Sequence, residues 1–129
     1  MKNEAQIAQF EKTVNNLKEV LERLKTGGPD HVFFRDSAIQ RFEIAFDMCW
    51  KTLKEKLRGE YGVDINSPKK AFEESFKQNL LENNAIWVRM TDMRNETTHA
   101  YSEEFAEKVL AELPKIYTAL EQVLWKLKK

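Results

Sequence analysis

Four glycines and three prolines in 129 residues are too few for the many tight turns of an all-β chain. The single cysteine, Cys49, excludes an intramolecular disulfide. With only two histidines beside it, the chain cannot close a zinc site on its own. Cys49 lies in the run Ala45-Phe46-Asp47-Met48-Cys49-Trp50 and is expected to be a small buried hydrophobe. Neither sign of charge dominates. The 21 Lys and Arg balance 21 Asp and Glu, which excludes a globally basic nucleic-acid binder but leaves room for a local basic site. No stretch approaches the roughly 18 apolar residues of a membrane span. The N-terminal Met1-Lys2-Asn3-Glu4-Ala5-Gln6 lacks the apolar core of a signal peptide. A cytoplasmic protein without membrane contact, metal or cofactor is expected.

What the chain does have is helical periodicity. Apolar residues make up 42% and charged residues 33%, a globular composition, and the length suits one domain spanning 1–129. Ile7, Phe10, Val14, Leu17, Leu21 and Leu24 recur at spacings of three and four, which predicts a first helix over 3–25. Thr26-Gly27-Gly28-Pro29-Asp30 stops it, leaving His31 in an exposed loop. A second helix is expected to open near Ser37, with Gln40 completing a capping box, and to end at Gly59–Gly62. Its apolar positions, Ile39, Phe42, Phe46, Cys49, Trp50, Leu53 and Leu57, fall within about a 100° arc.

Ser67-Pro68 is an N-cap followed by proline at the first helical position, and the short third helix it opens carries Ala71, Phe72, Phe76 and Leu80. After Asn83-Asn84, a fourth helix carries Ile86, Trp87, Met90 and Met93. Ser102 caps a fifth, with Glu103 and Glu104 in its first turn and an apolar face that continues through Pro114. The fold class is therefore all-α, an up-and-down bundle of four to five helices. Trp87, Met90, Met93, Tyr117 and Trp125 give helices four and five more aromatic and methionine surface than a small bundle needs, which predicts a homodimer.

Most aromatic residues at this spacing are expected in the core or at an interface. The clusters Lys51/Lys54/Lys56/Arg58 and Lys126/Lys128/Lys129 are expected on solvated faces and helix ends. Two places carry chemistry. Glu43 falls at the edge of the apolar arc, about 40° from Ile39, and Asp47 follows one turn later. Like charges so placed cost a few tenths of a kcal/mol. They would orient an Arg or His from another helix, or else form a solvated flank.

The second place is Arg94-Asn95-Glu96-Thr97-Thr98-His99-Ala100-Tyr101. Arg94 and His99 would point about 140° apart on an unbroken helix. They converge only if the chain turns near the weak helix formers Thr97-Thr98, or if two copies face each other across a two-fold axis.

Arg94-x4-His99-x-Tyr101 matches the R-x4-H-x-Y motif of HEPN-domain proteins, with Asn95 supplying the polar residue often found after the Arg. The stretch from Arg35 to Lys54, the segment Ser67–Phe72 and the segment Met93–Tyr101 together resemble the HepT-like branch, also called nucleotidyltransferase substrate-binding proteins. The resemblance implies a homodimeric helical domain whose partner is a small nucleotidyltransferase of the minimal type. It implies a ribonuclease toxin that cuts RNA without a metal, and an antitoxin that adenylylates the tyrosine matching Tyr101. On this reading Arg94 and His99 are catalytic and Tyr101 is modified; the binding residues are Asn95, which would hold the phosphate or His99, and Glu43 and Asp47, and RNA or a nucleotide is a further partner. The alternative is a non-catalytic subunit that presents a substrate to the nucleotidyltransferase.

Overall fold

The computed structural model describes residues 2–82, 84–99 and 102–129. Five helices follow in order: α1 (Lys2–Lys25), α2 (His31–Tyr61), α3 (Pro68–Lys77), α4 (Asn84–Thr97) and α5 (Glu103–Leu127). Among the described residues all regular structure is helical. Long α1, α2 and α5 pack on one another, α3 lies on α2, and α4 packs chiefly against α3 and α5.

The α1 seam is buried as its spacing predicts, with Phe10, Val14, Leu17 and Val20 all inside. Phe42, Phe46, Cys49 and Leu53 of α2 and Leu113, Ile116 and Leu120 of α5 complete the centre. An aromatic chain carries this core outward. Phe46 meets Phe72 edge-on at 5.5 Å, and Phe72 meets Trp87 at 4.8 Å, so α2 holds α3 and α3 holds α4. Contacts of this kind add roughly 0.5–1.5 kcal/mol beyond area burial. Phe76 faces outward on α3 and is exposed, and Leu80 packs on the core from beyond the helix end.

The ends of α3 and α5 follow their signals. Ser67 accepts a hydrogen bond from the Lys70 amide, with Pro68 next in line, and Ser102 accepts one from the Phe105 amide. Gly62 takes the left-handed conformation (φ 66°) that closes α2, its N–H bonding to the Arg58 carbonyl. Helix α5 runs without interruption past Pro114.

The start of α2 corrects the sequence reading. The helix opens at His31, six residues before Ser37, so His31 is its first residue and Ser37 and Gln40 lie inside it. Asp30 occupies the cap position without a side-chain cap bond. Tertiary contacts hold these extra turns instead. Phe34 packs on the core, and Arg35, only 2% exposed, donates from Nη1 to Glu103 at 2.7 Å and to Glu107 at 3.0 Å on α5. Its Nε donates to Asp36 at 3.0 Å, and His31 Nε2 lies 3.0 Å from Glu107.

Three carboxyls sit below the ordinary carboxylate value of 4.5 because cations hold their ionised forms: Glu74 by Lys70, Glu107 by Arg35, and Glu112 by Arg89. A group depressed in the folded state contributes stability that is present above its unfolded pKa and lost as pH falls through its folded pKa. The midpoint of thermal unfolding, followed by circular dichroism, is therefore expected to stay level from neutral pH to about pH 5 and to fall progressively below it. The Glu112→Gln variant should show a shallower acid decline than the parent.

Candidate functional site

The site lies where α4 ends against α2. Thr97 closes the helix and donates from Oγ1 to the Arg94 carbonyl at 2.8 Å. Thr98 donates likewise to the Asn95 carbonyl at 2.7 Å. Thr52 and Thr91 make the same kind of bond inside uninterrupted helices, so it weakens the last turn without by itself ending it. The chain leaves the helix within the motif, and His99 falls in the turn beyond it, its amide bonded to the Glu96 carbonyl at 3.1 Å.

Arg94 points back onto α2. Its Nη1 donates to Glu43 Oε2 at 2.9 Å, and its Nη2 lies 3.4 Å from Asp47 Oδ2. Thr97 Oγ1 also lies 2.7 Å from the same Glu43 oxygen, so its single proton is shared between that carboxylate and the Arg94 carbonyl. Glu43 thus gathers two residues of the motif, and α4 is seated on α2 by polar side chains. Arg94 is 22% exposed, its Nε is buried without a hydrogen-bond partner, and its other Nη–H donors remain to meet an anion. Two carboxylates against one guanidinium leave the immediate group with an excess of negative charge.

The structure brings Arg94, Glu43, Asp47 and Thr97 together. Asn95 and His99 are exposed, and no hydrogen bond or ion pair joins the His99 ring to that group among the described residues. Tyr101 lies outside the described residues. Nor do the described residues include a group of three or more His, Cys, Asp or Glu arranged to hold a metal ion.

Arg35 is the site neighbour that residue-by-residue reasoning missed. It sits two turns before Glu43 on the same helix and holds Glu103 and Glu107, in the first turns after the motif. No local pattern marks an arginine for burial. The one available signal was its place inside the α2 segment that carries the family resemblance.

Of the five residues behind the dimer expectation, Trp87, Met90 and Met93 are buried in the monomer's own core, Tyr117 is partly buried and Trp125 is exposed. Among the described residues, the large apolar side chains left outside include Phe33 (76% exposed), Ile44 (48%) and Trp125 (58%). Phe33 and Ile44 project from α2 about 20° apart on the helical wheel.

Comparison with known proteins agrees with this architecture. Residues 5–129 match the family model described as nucleotidyltransferase substrate binding protein like. A protein of Haemophilus influenzae called probable ribonuclease HepT is 32% identical over 85 residues, covering 59% of this chain and 55% of the relative, so the match spans about half of that protein. A crystal structure from Thermus thermophilus superposes with a TM-score of 0.82 at 34% identity, covering 93% of this chain and 99% of that one. A second Haemophilus influenzae structure, described as revealing the fold of a substrate binding domain of a nucleotidyltransferase, superposes with a TM-score of 0.82 over 95% and 99% of the two chains. At 20% identity it speaks to the fold. With the family model matched across nearly the whole helical bundle, the chain belongs to the nucleotidyltransferase substrate binding protein like family.

Proposed function

We propose that this protein is the partner of a minimal nucleotidyltransferase and cleaves RNA through Arg94 and His99, as the toxin of a toxin–antitoxin pair. The observation that carries the reading is the division of the motif at the end of α4. Arg94 is oriented inward by Glu43, while His99 stands exposed in the turn just beyond Thr97. The name of the Haemophilus relative supports the same activity.

Metal-independent cleavage makes the 2′-oxygen attack its own phosphorus while the bond to the 5′-oxygen breaks. A base takes the 2′-hydroxyl proton and an acid protonates the departing 5′-oxygen, leaving a cyclic phosphate and a 5′-hydroxyl. Histidine serves either role near neutral pH. The remaining Arg94 donors meet the phosphoryl oxygens as charge builds on them. Asn95 is exposed beside them and supplies a further polar contact. One chain carries one His99, so an acid and a base together require two copies. The second copy covers the Phe33–Ile44 strip of α2, on the helix that also carries Glu43 and Asp47.

A second reading has its own support. Glu43 and Asp47 outnumber Arg94, and RNA affinity rests on phosphate neutralisation. A subunit that presents substrate to a nucleotidyltransferase without cutting fits that balance. Incubation of the isolated protein with RNA separates the two readings.

Regulation follows from Tyr101. The partner, with ATP and Mg²⁺, transfers a nucleotide to the Tyr101 hydroxyl with release of pyrophosphate. The added phosphate then competes with RNA for Arg94.

His99→Ala is expected to lower RNA cleavage by about 10²- to 10⁴-fold with an unchanged unfolding midpoint, because the side chain is exposed. Full activity in that variant would dismiss the acid–base assignment. Sedimentation at micromolar concentration should show a dimer in the parent and a monomer in Ile44→Glu; a monomeric parent would remove the two-copy site. Intact-mass measurement after incubation with the nucleotidyltransferase and ATP should show an added nucleotide in the parent and none in Tyr101→Phe.

A further inference from the structure

The connection between α4 and α5 carries His99, and both of its flanks are fastened to α2. On the α4 side, Arg94 and Thr97 reach Glu43. On the α5 side, Glu103 and Glu107 reach Arg35. The two fastenings have opposite polarity: α2 offers a carboxylate to one and a guanidinium to the other. Arg35 and Glu43 are eight residues apart, so a rigid stretch of about 12 Å of helix sets the distance between them.

The α5 fastening is built to fix position. Arg35 is 2% exposed, and its planar fork engages side chains in two directions. Nη1 holds both Glu103 and Glu107, one helical turn apart on α5, and Nε holds Asp36 on α2 itself. Nη2 rests 3.0 Å from the same Asp36 oxygen. A lysine ammonium has no such rigid geometry. His31, from the first turn of α2, adds a second hold on Glu107. These contacts seat the first two turns of α5, and His99 lies four residues before Glu103.

We propose that Arg35 is a positioning residue: by clamping Glu103 and Glu107 it sets where the chain re-enters the bundle and thereby holds His99 in register with Arg94. The kinetic consequence rests on the ribonuclease reading; the conformational consequence does not. A group displaced by about 1 Å from its productive position can lose on the order of 10²-fold in rate, so loosening one flank of the connection acts on turnover rather than on RNA binding.

The test replaces the carboxylates, since both reach solvent and the enclosed Arg35 is itself left in place with Asp36 as its remaining partner. The Glu103→Gln/Glu107→Gln double variant is compared with the parent and with Glu104→Gln, whose carboxylate sits in the same turn but pairs with Lys108. Amide hydrogen exchange is expected to rise about 10-fold at Thr98, His99 and Ser102 while the amides of Phe10 and Leu17 in α1 stay unchanged. RNA cleavage should lose about 10-fold in kcat with KM within two-fold, and Glu104→Gln should match the parent in every measurement. Exchange that is unchanged at those three amides, or that rises equally in α1, would overturn the proposal, as would a change confined to KM. If the parent fails to cleave RNA, the ribonuclease reading falls, and the exchange arm alone decides whether Arg35 positions the connection.

Discussion

An arginine cannot leave water in this bundle without carboxylates to receive it, and helix α2 takes part wherever that happens around the motif. Arg35 brings a nearly buried charge into the core and draws Glu103 and Glu107 of α5 over it. Arg94 lies partly covered against α2 and is received there by Glu43 and Asp47. The carboxylate partners reach solvent and are screened on that side, so these pairs specify an arrangement more than they add net stability. The apolar core holds five helices together. These pairs decide how the ends of α4 and α5 sit on α2.

The same requirement explains how an amphipathic bundle carries a polar site. Aromatic packing from Phe46 through Phe72 to Trp87 fixes the depth at which α4 lies. Glu43 then receives both Arg94 and Thr97, so the last turn of α4 is held on its polar side too. Helix α4 ends at Thr97, which leaves His99 beyond the regular structure. The proposed chemistry on a phosphodiester draws on this pairing of an exposed histidine with an arginine oriented by carboxylates.

The helices, their apolar faces and the caps at Ser67 and Ser102 were determined by the sequence by itself, because each depends on residues within a turn or two of one another. The break at Thr97-Thr98 was local in the same sense. The candidate residues Arg94, Asn95, His99 and Tyr101 were legible because they share one short motif, and Glu43 and Asp47 because they mark the edge of one helical arc. Tertiary structure alone decided the rest. Helix α2 begins at His31, with no cap bond from Asp30, because Arg35 and Phe34 find partners on other elements. Spacing marks Trp87, Met90 and Met93 as one apolar set, but that the chain's own helices bury them, and not a second copy, depends on how those helices pack. Arg94 meets Glu43 across 51 positions and Arg35 meets Glu103 across 68. Helical periodicity reports which face of a helix is apolar; which charge that face meets depends on how distant helices cross.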